Sequence, residues 1–186
     1  MAQSLVELGR NHHTDKGTRH TYLEVYDNLL ARHRATASNV LEIGCLDGDS
    51  LRLWESYFAK AVIVGLDTNP CPVVGDRIAF HQMDAYKVES ASKIRDEYDV
   101  IIDDGPHSLS SMLFVVQHYS CMLRKGGILV VEDVPHKEWI PMLAAAVPTQ
   151  FQRFMYSVDR NFVPGSVSGD DLLFVLDLPD GTGGAT

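Results

Sequence analysis

The chain has 186 residues, of which 45% are hydrophobic and 22% charged, and this composition fits one globular domain. No apolar run approaches the roughly 20 residues that a membrane-spanning helix needs. The formal net charge of -9 argues against a protein whose main task is to grip a nucleic-acid backbone. We therefore expect neither a membrane segment nor a nucleic-acid partner.

The cysteines indicate the redox environment. Cys45, Cys71 and Cys121 are widely spaced and form no CxxC pair, so a zinc site built on them is not expected. The first residues lack the apolar stretch of a secretory signal. We expect reduced thiols in a cytoplasmic protein.

Helical patterns and short apolar runs alternate along the chain. Apolar residues at helical spacing predict helices over 21–34, 50–58, 88–97, 108–123 and 137–146. Short apolar runs predict strands over 39–43, 61–66, 78–81, 98–102, 128–131, 150–156 and 171–176, with a turn at 125–127 before the fifth strand. This alternation predicts an α/β fold with a doubly wound, mostly parallel seven-stranded sheet of the Rossmann-like type. The last two strands have no helix between them, which predicts an antiparallel hairpin at one edge.

Three regions are expected. Residues 1–20 are polar and are predicted to form a mobile segment that becomes ordered when a ligand binds. Residues 21–178 contain the predicted sheet and helices and should form a single domain. Residues 179–186 lack apolar content and are predicted to be a disordered tail.

The first candidate site is a glycine loop between the first strand and the next helix. Gly44 and Gly48 let the backbone approach a ligand closely, and the helix N-terminus adds a positive dipole end. Glu42 stands at the strand end, where its carboxylate could bind a ligand ammonium. The same charge would repel the pyrophosphate of a dinucleotide. The loop therefore favours S-adenosylmethionine, which carries an amino group and a sulfonium.

Two further acids complete a nucleoside site. Asp67 closes the second strand, where it is placed to take both hydroxyls of a ribose. Asp84 follows the third strand and could accept the exocyclic amine of adenine. With these residues the chain resembles the class I S-adenosylmethionine-dependent methyltransferases over residues 38–178, although Leu46 stands where the common E-x-G-x-G-x-G pattern has its middle glycine.

A second constellation follows the next two strands. Asp104 comes after the fourth strand and Glu132-Asp133 after the fifth, and neighbouring strands would bring them together. Three carboxylates in a small space repel one another unless a cation lies among them. Oxygen ligands favour a hard divalent ion, and Mg²⁺ is the expected one. His107, three residues after Asp104, could remove a proton from a substrate hydroxyl whose pKa the metal lowers.

Simpler interpretations of these acids stay open. Asp103 or Asp104 could cap the helix that begins near Ser108. Glu132 and Asp133 could be a solvated pair in a loop. His107 by itself would be a surface or capping histidine more often than a base.

The second motif resembles the metal-dependent sugar O-methyltransferases of the macrocin and mycinamicin type, with Pro106 where the usual Asp-Gly-Ser-His form has serine. The resemblance extends to His13-Thr14-Asp15-Lys16-Gly17-Thr18 and to Tyr22. It implies that residues 1–20 act as a lid over the cofactor, and that Asp103 lies near the methionine part. The roles implied by the resemblance are cofactor binding by Lys16, Thr18 and Tyr22, metal binding by Asp104, Glu132 and Asp133, and general base catalysis by His107.

The sequence thus predicts an enzyme, a metal-dependent O-methyltransferase that methylates a hydroxyl of a sugar, polyol or phenol. A second hypothesis is an NAD-dependent oxidoreductase, against which Glu42 and the lack of a G-x-G-x-x-G loop count. A third is a non-catalytic module that binds S-adenosylmethionine. The acceptor, the choice of divalent ion and a homo-oligomeric state are left open by the sequence.

Overall fold

The computed structural model describes residues 3–94, 97–164 and 170–180 of the chain. It contains a sheet of seven strands: β1 (Asn39–Ile43), β2 (Val62–Asp67), β3 (Ile78–Gln82), β4 (Tyr98–Asp103), β5 (Leu123–Val131), β6 (Met155–Asp159) and β7 (Leu172–Asp177). The α-helices are α1 (Leu5–Gly9), α2 (Tyr22–Leu30), α3 (Asp49–Tyr57), α4 (Val88–Lys93), α5 (Leu109–His118) and α6 (Trp139–Ala146). Short 3-10 helices cover Asp15–Gly17, Ser120–Met122 and Thr149–Phe154.

The strands lie in the order β3-β2-β1-β4-β5-β7-β6. β1 pairs in parallel with β2 and β4, and β5 in parallel with β4, whereas β7 is antiparallel to both β5 and β6. The predicted doubly wound sheet with an antiparallel edge is thereby confirmed. The strand order switches direction between β1 and β4, so the carboxyl ends of these two parallel strands border the crevice where such sheets bind ligands.

Apolar side chains cover both faces of the sheet. Along β1, Val40 belongs to the core under α1, α2 and α3, whereas the next residue, Leu41, belongs to the core under α5 and α6. β4 alternates in the same way, with Ile101 on one face and Ile102 on the other. Because successive side chains of a strand point to opposite faces, a strand covered on both sides is a continuous apolar run.

Several predicted elements differ in the structure, and the helices predicted over 21–34 and 88–97 end at Leu30 and Lys93. The strand predicted over 150–156 is the 3-10 helix Thr149–Phe154 followed by β6, because Pro148 leads the chain into a helical turn. The turn predicted at 125–127 lies inside β5, where Gly126 takes a φ of +75° next to a shift in the β4–β5 register, which is typical of a bulge. The helix predicted over 108–123 ends at His118.

The N-terminal segment packs against the domain. Leu5 and Leu8 of α1 are buried in the same core as residues of α2 and α3. Lys16 is fully buried as well. The expected movement of residues 1–20 stays a prediction, and residues 181–186 of the expected tail lie outside the described residues. Within the described ranges, the helices are too short or too polar to cross a lipid bilayer.

Candidate active site

The glycine loop passes directly over the end of β4. Gly44 has a φ of +82°, and a Cβ on it would lie 2.0 Å from the carbonyl oxygen of Asp104. Gly48, at a φ of +83°, forms the N-cap of α3, where a Cβ would meet the Val73 side chain at 2.4 Å. Only glycine takes this backbone without steric cost. Leu46 also has a positive φ, +45°, and its side chain is 76% exposed.

Asp67 holds the loop in this shape. Its Oδ2 accepts hydrogen bonds from the backbone amides of Cys45 at 3.1 Å and Leu46 at 3.0 Å. Its Oδ1 accepts a bond from the amide of Asn69 at 2.8 Å. The carboxylate predicted to bind ribose therefore also orders the loop beside it.

A cavity of about 460 Å³ opens between the loop and the ends of β2 and β3. Its lining includes Gly44, Asp67, Asp84 and Tyr86, so three of the residues predicted to bind the cofactor share one cavity. Asp84 Oδ1 accepts a hydrogen bond from the amide of Tyr86 at 3.0 Å. A cavity with acids at the ends of β2 and β3 can hold a nucleoside.

Asp103 lies beneath this cavity at the end of β4. Its Oδ1 accepts a hydrogen bond from the hydroxyl of Tyr86 at 2.7 Å. Burial raises the pKa of Asp103 to about 7, against the opposing effect of the Tyr86 hydrogen bond. The sequence analysis missed Tyr86, and the only signal was its place two residues after Asp84.

Glu42 is not among the residues that line this cavity. It is fully buried, and its Oε2 accepts a hydrogen bond from Ser50 Oγ at 2.6 Å. Its Oε1 lies 3.5 Å from Lys16 Nζ. Burial raises the pKa of Glu42, while Lys16 and Ser50 act in the opposite direction. Glu42 thus faces a cation of the protein itself.

Lys16 lies among the acids predicted to bind metal. Its Nζ donates to Asp104 Oδ2 at 2.5 Å and to both carboxylate oxygens of Glu132 at 2.8 and 2.9 Å. The hydroxyl of Tyr26 donates to Glu132 Oε1 at 2.5 Å. Burial by itself lowers the pKa of Lys16, but the carboxylates of Asp104, Glu132 and Glu42 raise it well above its usual value. These carboxylates therefore favour the charged ammonium form of Lys16.

Asp104 and Asp133 also lie close to His107 and form a second group with it. The nearest oxygen of Asp104 lies 3.7 Å from His107 Nε2, and Asp133 Oδ2 lies 3.8 Å from His107 Nδ1. One ligand atom from each of these three residues lies within 4.8 Å of the others. His107 and Asp133 have φ values of +49° and +50°, a costly backbone for residues with a Cβ.

Asp133 is held by the start of α2. The hydroxyl of Tyr22 donates to Asp133 Oδ1 at 2.5 Å, and His20 Nδ1 lies 3.4 Å from the same oxygen. His20 stacks on the ring of Tyr22 and contacts Asp171 Oδ1 at 2.6 Å. Burial raises the pKa of Asp133, and Tyr22 and His20 oppose this shift. His20 was missed, because no pattern near residue 20 indicates a partner more than 100 residues away.

A second cavity of about 420 Å³ lies beside this group. His107, Asp133 and the N-terminal residues His13, Asp15 and Arg19 are among its lining residues. The two cavities share four lining residues, Gly44, Leu46, Asp104 and Gly105. A donor in the first cavity and an acceptor in the second would therefore meet at Asp104.

The remaining predicted residue lies elsewhere. Thr18 is exposed, and its hydroxyl donates to the carbonyl of Thr14 at 3.2 Å. It is not among the residues that line either cavity. The helix after β4 is capped by Ser108 rather than by Asp103 or Asp104, so capping does not account for these two acids.

Comparisons with known proteins identify relatives of the chain. No family model matches it. It is 30% identical over 147 residues to 8-demethyl-8-alpha-L-rhamnosyl tetracenomycin-C 2'-O-methyltransferase of Streptomyces olivaceus, an alignment that covers 73% of this chain and 39% of that protein. It is 32% identical over 147 residues to mycinamicin VI 2''-O-methyltransferase of Micromonospora griseorubida, covering 73% of this chain and 37% of that protein. The chain thus matches less than two fifths of the length of these relatives.

A solved structure shares the fold over the whole chain. The MycE methyltransferase of the mycinamycin biosynthetic pathway, in complex with Mg and SAH, has a TM-score of 0.75 at 24% identity, covering 100% of this chain and 58% of that one. These relatives are methyltransferases by name and give no support to the oxidoreductase hypothesis. The chain has the class I methyltransferase fold and is a homologue of the sugar O-methyltransferases of the tetracenomycin, mycinamicin and macrocin type.

Proposed function

We propose that the chain transfers a methyl group from S-adenosylmethionine to a hydroxyl oxygen of a small-molecule acceptor, a sugar or another polyol or phenol. The observation that carries this proposal is the convergence of His107, Asp104 and Asp133 in the second cavity, with Asp104 also lining the first. One cavity offers acids for a nucleoside, and the other offers a histidine beside carboxylates. The relatives named above carry out reactions of this class by name.

The donor would occupy the cavity between the glycine loop and β3. Asp67 would bind the ribose hydroxyls and Asp84 the adenine amine, because each presents a carboxylate to this cavity. Gly44 leaves room for the methionine part above β4, close to Asp103. The sulfonium would then face the wall that both cavities share.

The carboxylates of Asp104, Glu132 and Asp133 are ligands of the kind that a divalent metal ion prefers. Asp104 and Asp133 offer oxygens close to His107, and the contacts of Asp104 and Glu132 with the Lys16 ammonium support a site that favours a cation. We propose that Asp104, Glu132 and Asp133 would hold Mg²⁺ or another divalent ion. Such an ion would supply Lewis acidity that lowers the pKa of the acceptor hydroxyl.

His107 is proposed as the general base. Its side chain is 33% exposed and lines the acceptor cavity. Among the described residues, no group forms a hydrogen bond with its Nδ1. A neutral imidazole there can take the hydroxyl proton while the oxygen attacks the methyl carbon in a direct displacement, which breaks the carbon–sulfur bond of the donor and releases S-adenosylhomocysteine as a neutral thioether. The chain's own contribution is to place donor and acceptor in line.

Location and partners follow from the same proposal. We place the protein in the cytoplasm, where the thiols of Cys45, Cys71 and Cys121 would stay reduced. The partner is a small hydroxyl-bearing molecule, and we expect no nucleic-acid partner. Residues 1–20 remain proposed as a segment that closes over the cofactor.

The experiment is a methyl-transfer assay with S-adenosylmethionine and a panel of glycosides, with Mg²⁺ and with EDTA. Transfer that requires Mg²⁺ is expected. His107→Ala should slow it by roughly 10²–10⁴-fold, the usual contribution of a general base, without changing S-adenosylhomocysteine binding. His118→Ala is the matched control, because His118 lies on α5 outside both cavities. Full activity of His107→Ala would remove His107 from the role of base.

A further inference from the structure

Lys16 is the most completely enclosed charge of the N-terminal segment. Its side chain has no exposed surface, and its ammonium lies within 3.5 Å of oxygens from Glu42, Asp104 and Glu132. Two of these acids, Asp104 and Glu132, are proposed metal ligands. The segment that carries Lys16 also supplies His13, Asp15 and Arg19 to the wall of the acceptor cavity. The Lys16 side chain therefore links these acids to the N-terminal segment that lines the acceptor cavity.

The ammonium occupies the space that a metal ion would need on the same oxygens. Lys16 Nζ lies 2.5 Å from Asp104 Oδ2 and 2.8 Å from Glu132 Oε1. A Mg²⁺ ion binds oxygens at about 2.0–2.1 Å. An ion between these two oxygens would overlap the ammonium or contact it closely, and like charges at such a distance in a buried site repel strongly.

We propose that Lys16 is an internal counter-ion that competes with the divalent ion for Asp104 and Glu132. Without the ion, the ammonium offsets part of the negative charge of these acids and holds residues 13–20 against them. When the ion binds, the ammonium leaves these oxygens. Lys16 is thus a positioning residue that lowers metal affinity, an inference that rests on the proposed function for the presence of the metal.

The first test measures metal binding without donor or acceptor. Mn²⁺ is titrated into the protein, and the free ion is followed by electron paramagnetic resonance. Lys16→Met should bind Mn²⁺ at least about tenfold more tightly than the unmodified chain, because a competing positive charge is gone. Lys60→Met makes the same change in net charge at an exposed position and should leave affinity unchanged. Equal or weaker binding by folded Lys16→Met would overturn the proposal.

A second test uses the unmodified chain and does not depend on whether a variant folds. An amine-acetylating reagent is applied without and with saturating Mg²⁺, and the modified lysines are located by mass spectrometry. Lys16 should be protected without Mg²⁺ and react at least about tenfold faster with it, since the ion displaces a buried ammonium. Lys60 should react equally in both states. Continued protection of Lys16 at saturating Mg²⁺ would contradict the competition.

The two tests separate this inference from the proposed function. If metal binds and displaces Lys16 but no methyl transfer is found, the inference stands and the proposed reaction fails. If methyl transfer requires Mg²⁺ while Lys16 stays protected, the reaction stands and the competition is wrong. If neither the unmodified chain nor Lys16→Met binds Mn²⁺, the metal site itself is refuted, and the inference with it.

Discussion

The acids beside the two cavities receive their hydrogen bonds from different kinds of donor. On the donor side, Asp84 accepts the amide of Tyr86 two residues later, and Asp67 accepts amides of the glycine loop about 20 residues earlier. On the acceptor side, Asp104 and Glu132 are bound by Lys16 from 88 and 116 residues away. The donor side is therefore built from backbone near each acid, and the acceptor side from remote side chains.

This difference indicates that the contacts on the acceptor side depend more strongly on correct tertiary packing than those on the donor side. A loop amide is supplied by any sequence that folds into the loop, whereas the ammonium of Lys16 and the hydroxyl of Tyr22 arrive only when the N-terminal segment packs correctly. The left-handed backbone of His107 and Asp133 adds about 1–3 kcal/mol of strain at each position. Such strain persists where surrounding contacts determine the conformation. Substitutions on the two sides should consequently affect different measurements.

The largest effect is expected for a substitution at the wall that both cavities share, because it should impair donor binding and methyl transfer together. Gly44→Ala would place a Cβ 2.0 Å from the Asp104 carbonyl oxygen, at a φ of +82°. The backbone conformation alone costs about 1–3 kcal/mol, and the clash adds to it. We expect a lower melting temperature and loss of both methyl transfer and S-adenosylhomocysteine binding, measured by thermal unfolding and calorimetry.

Gly75→Ala is the matched control for this change. A Cβ there meets the far end of the Glu55 side chain at 2.4 Å and Ile78 Cδ1 at 2.7 Å, atoms that can move aside. It should bind S-adenosylhomocysteine as the unmodified chain does. Normal binding by Gly44→Ala would mean that the loop does not pass over β4 as described.

A smaller effect, mainly on turnover, is expected for Asp104→Asn, because Asp104 lines both cavities but its side chain contacts Lys16 and His107 on the acceptor side. The amide keeps the shape of the side chain but removes a charge proposed to hold the metal. Turnover should fall by about 10²–10³-fold, the usual effect of losing one electrostatic stabiliser, with S-adenosylhomocysteine affinity within about threefold. The control is Asp99→Asn, at the opposite end of β4, where the side chain is 18% exposed against 20% for Asp104. Equal losses in turnover and in donor binding would break the distinction between the cavities.

The donor side alone should respond to Asp67→Ala. The change removes the proposed ribose ligand and the acceptor for the amides of Cys45 and Leu46. Hydrogen bonds to a charged group are worth about 1.5–3 kcal/mol, so calorimetry should show S-adenosylhomocysteine bound roughly 10–100-fold more weakly. Turnover at saturating donor should stay within a few-fold. Asp76→Ala, at an exposed position, should leave affinity unchanged, and unaltered affinity in Asp67→Ala would remove Asp67 from the donor site.

The same division explains how much the sequence could predict. Strand β1 was predicted with its observed bounds, because a buried strand is a short apolar run with a clear end at Gly44. The acids at the strand ends were found for the same reason, since the order of the elements brings the carboxyl ends of β1, β4 and β5 to one edge. The positions predicted for Gly44, Asp67 and Asp84 depend on backbone that lies near them in the chain.

The partners of the acids could not be found in this way. Tyr26 lies within the helix predicted over 21–34, and nothing in that helical pattern shows that its hydroxyl reaches Glu132, 106 residues away. Lys16 was singled out by resemblance as a cofactor ligand, and its contact with three acids depends on the packing of the whole N-terminal segment. Long-range polar contacts leave no periodic signal in the sequence.

The smallest expected effect tests such a long-range contact directly. Tyr22→Phe keeps the buried ring and its stacking on His20 but removes the hydroxyl that donates to Asp133 Oδ1 at 2.5 Å. One hydrogen bond contributes about 0.5–1.5 kcal/mol, so turnover should fall roughly 3–10-fold while S-adenosylhomocysteine affinity stays the same. The control is Tyr57→Phe, whose hydroxyl lies 3.4 Å from the Asp27 carbonyl, away from both cavities. If Tyr22→Phe instead weakened donor binding at normal turnover, Tyr22 would belong to the donor side, and the N-terminal segment would serve the cofactor rather than the acids.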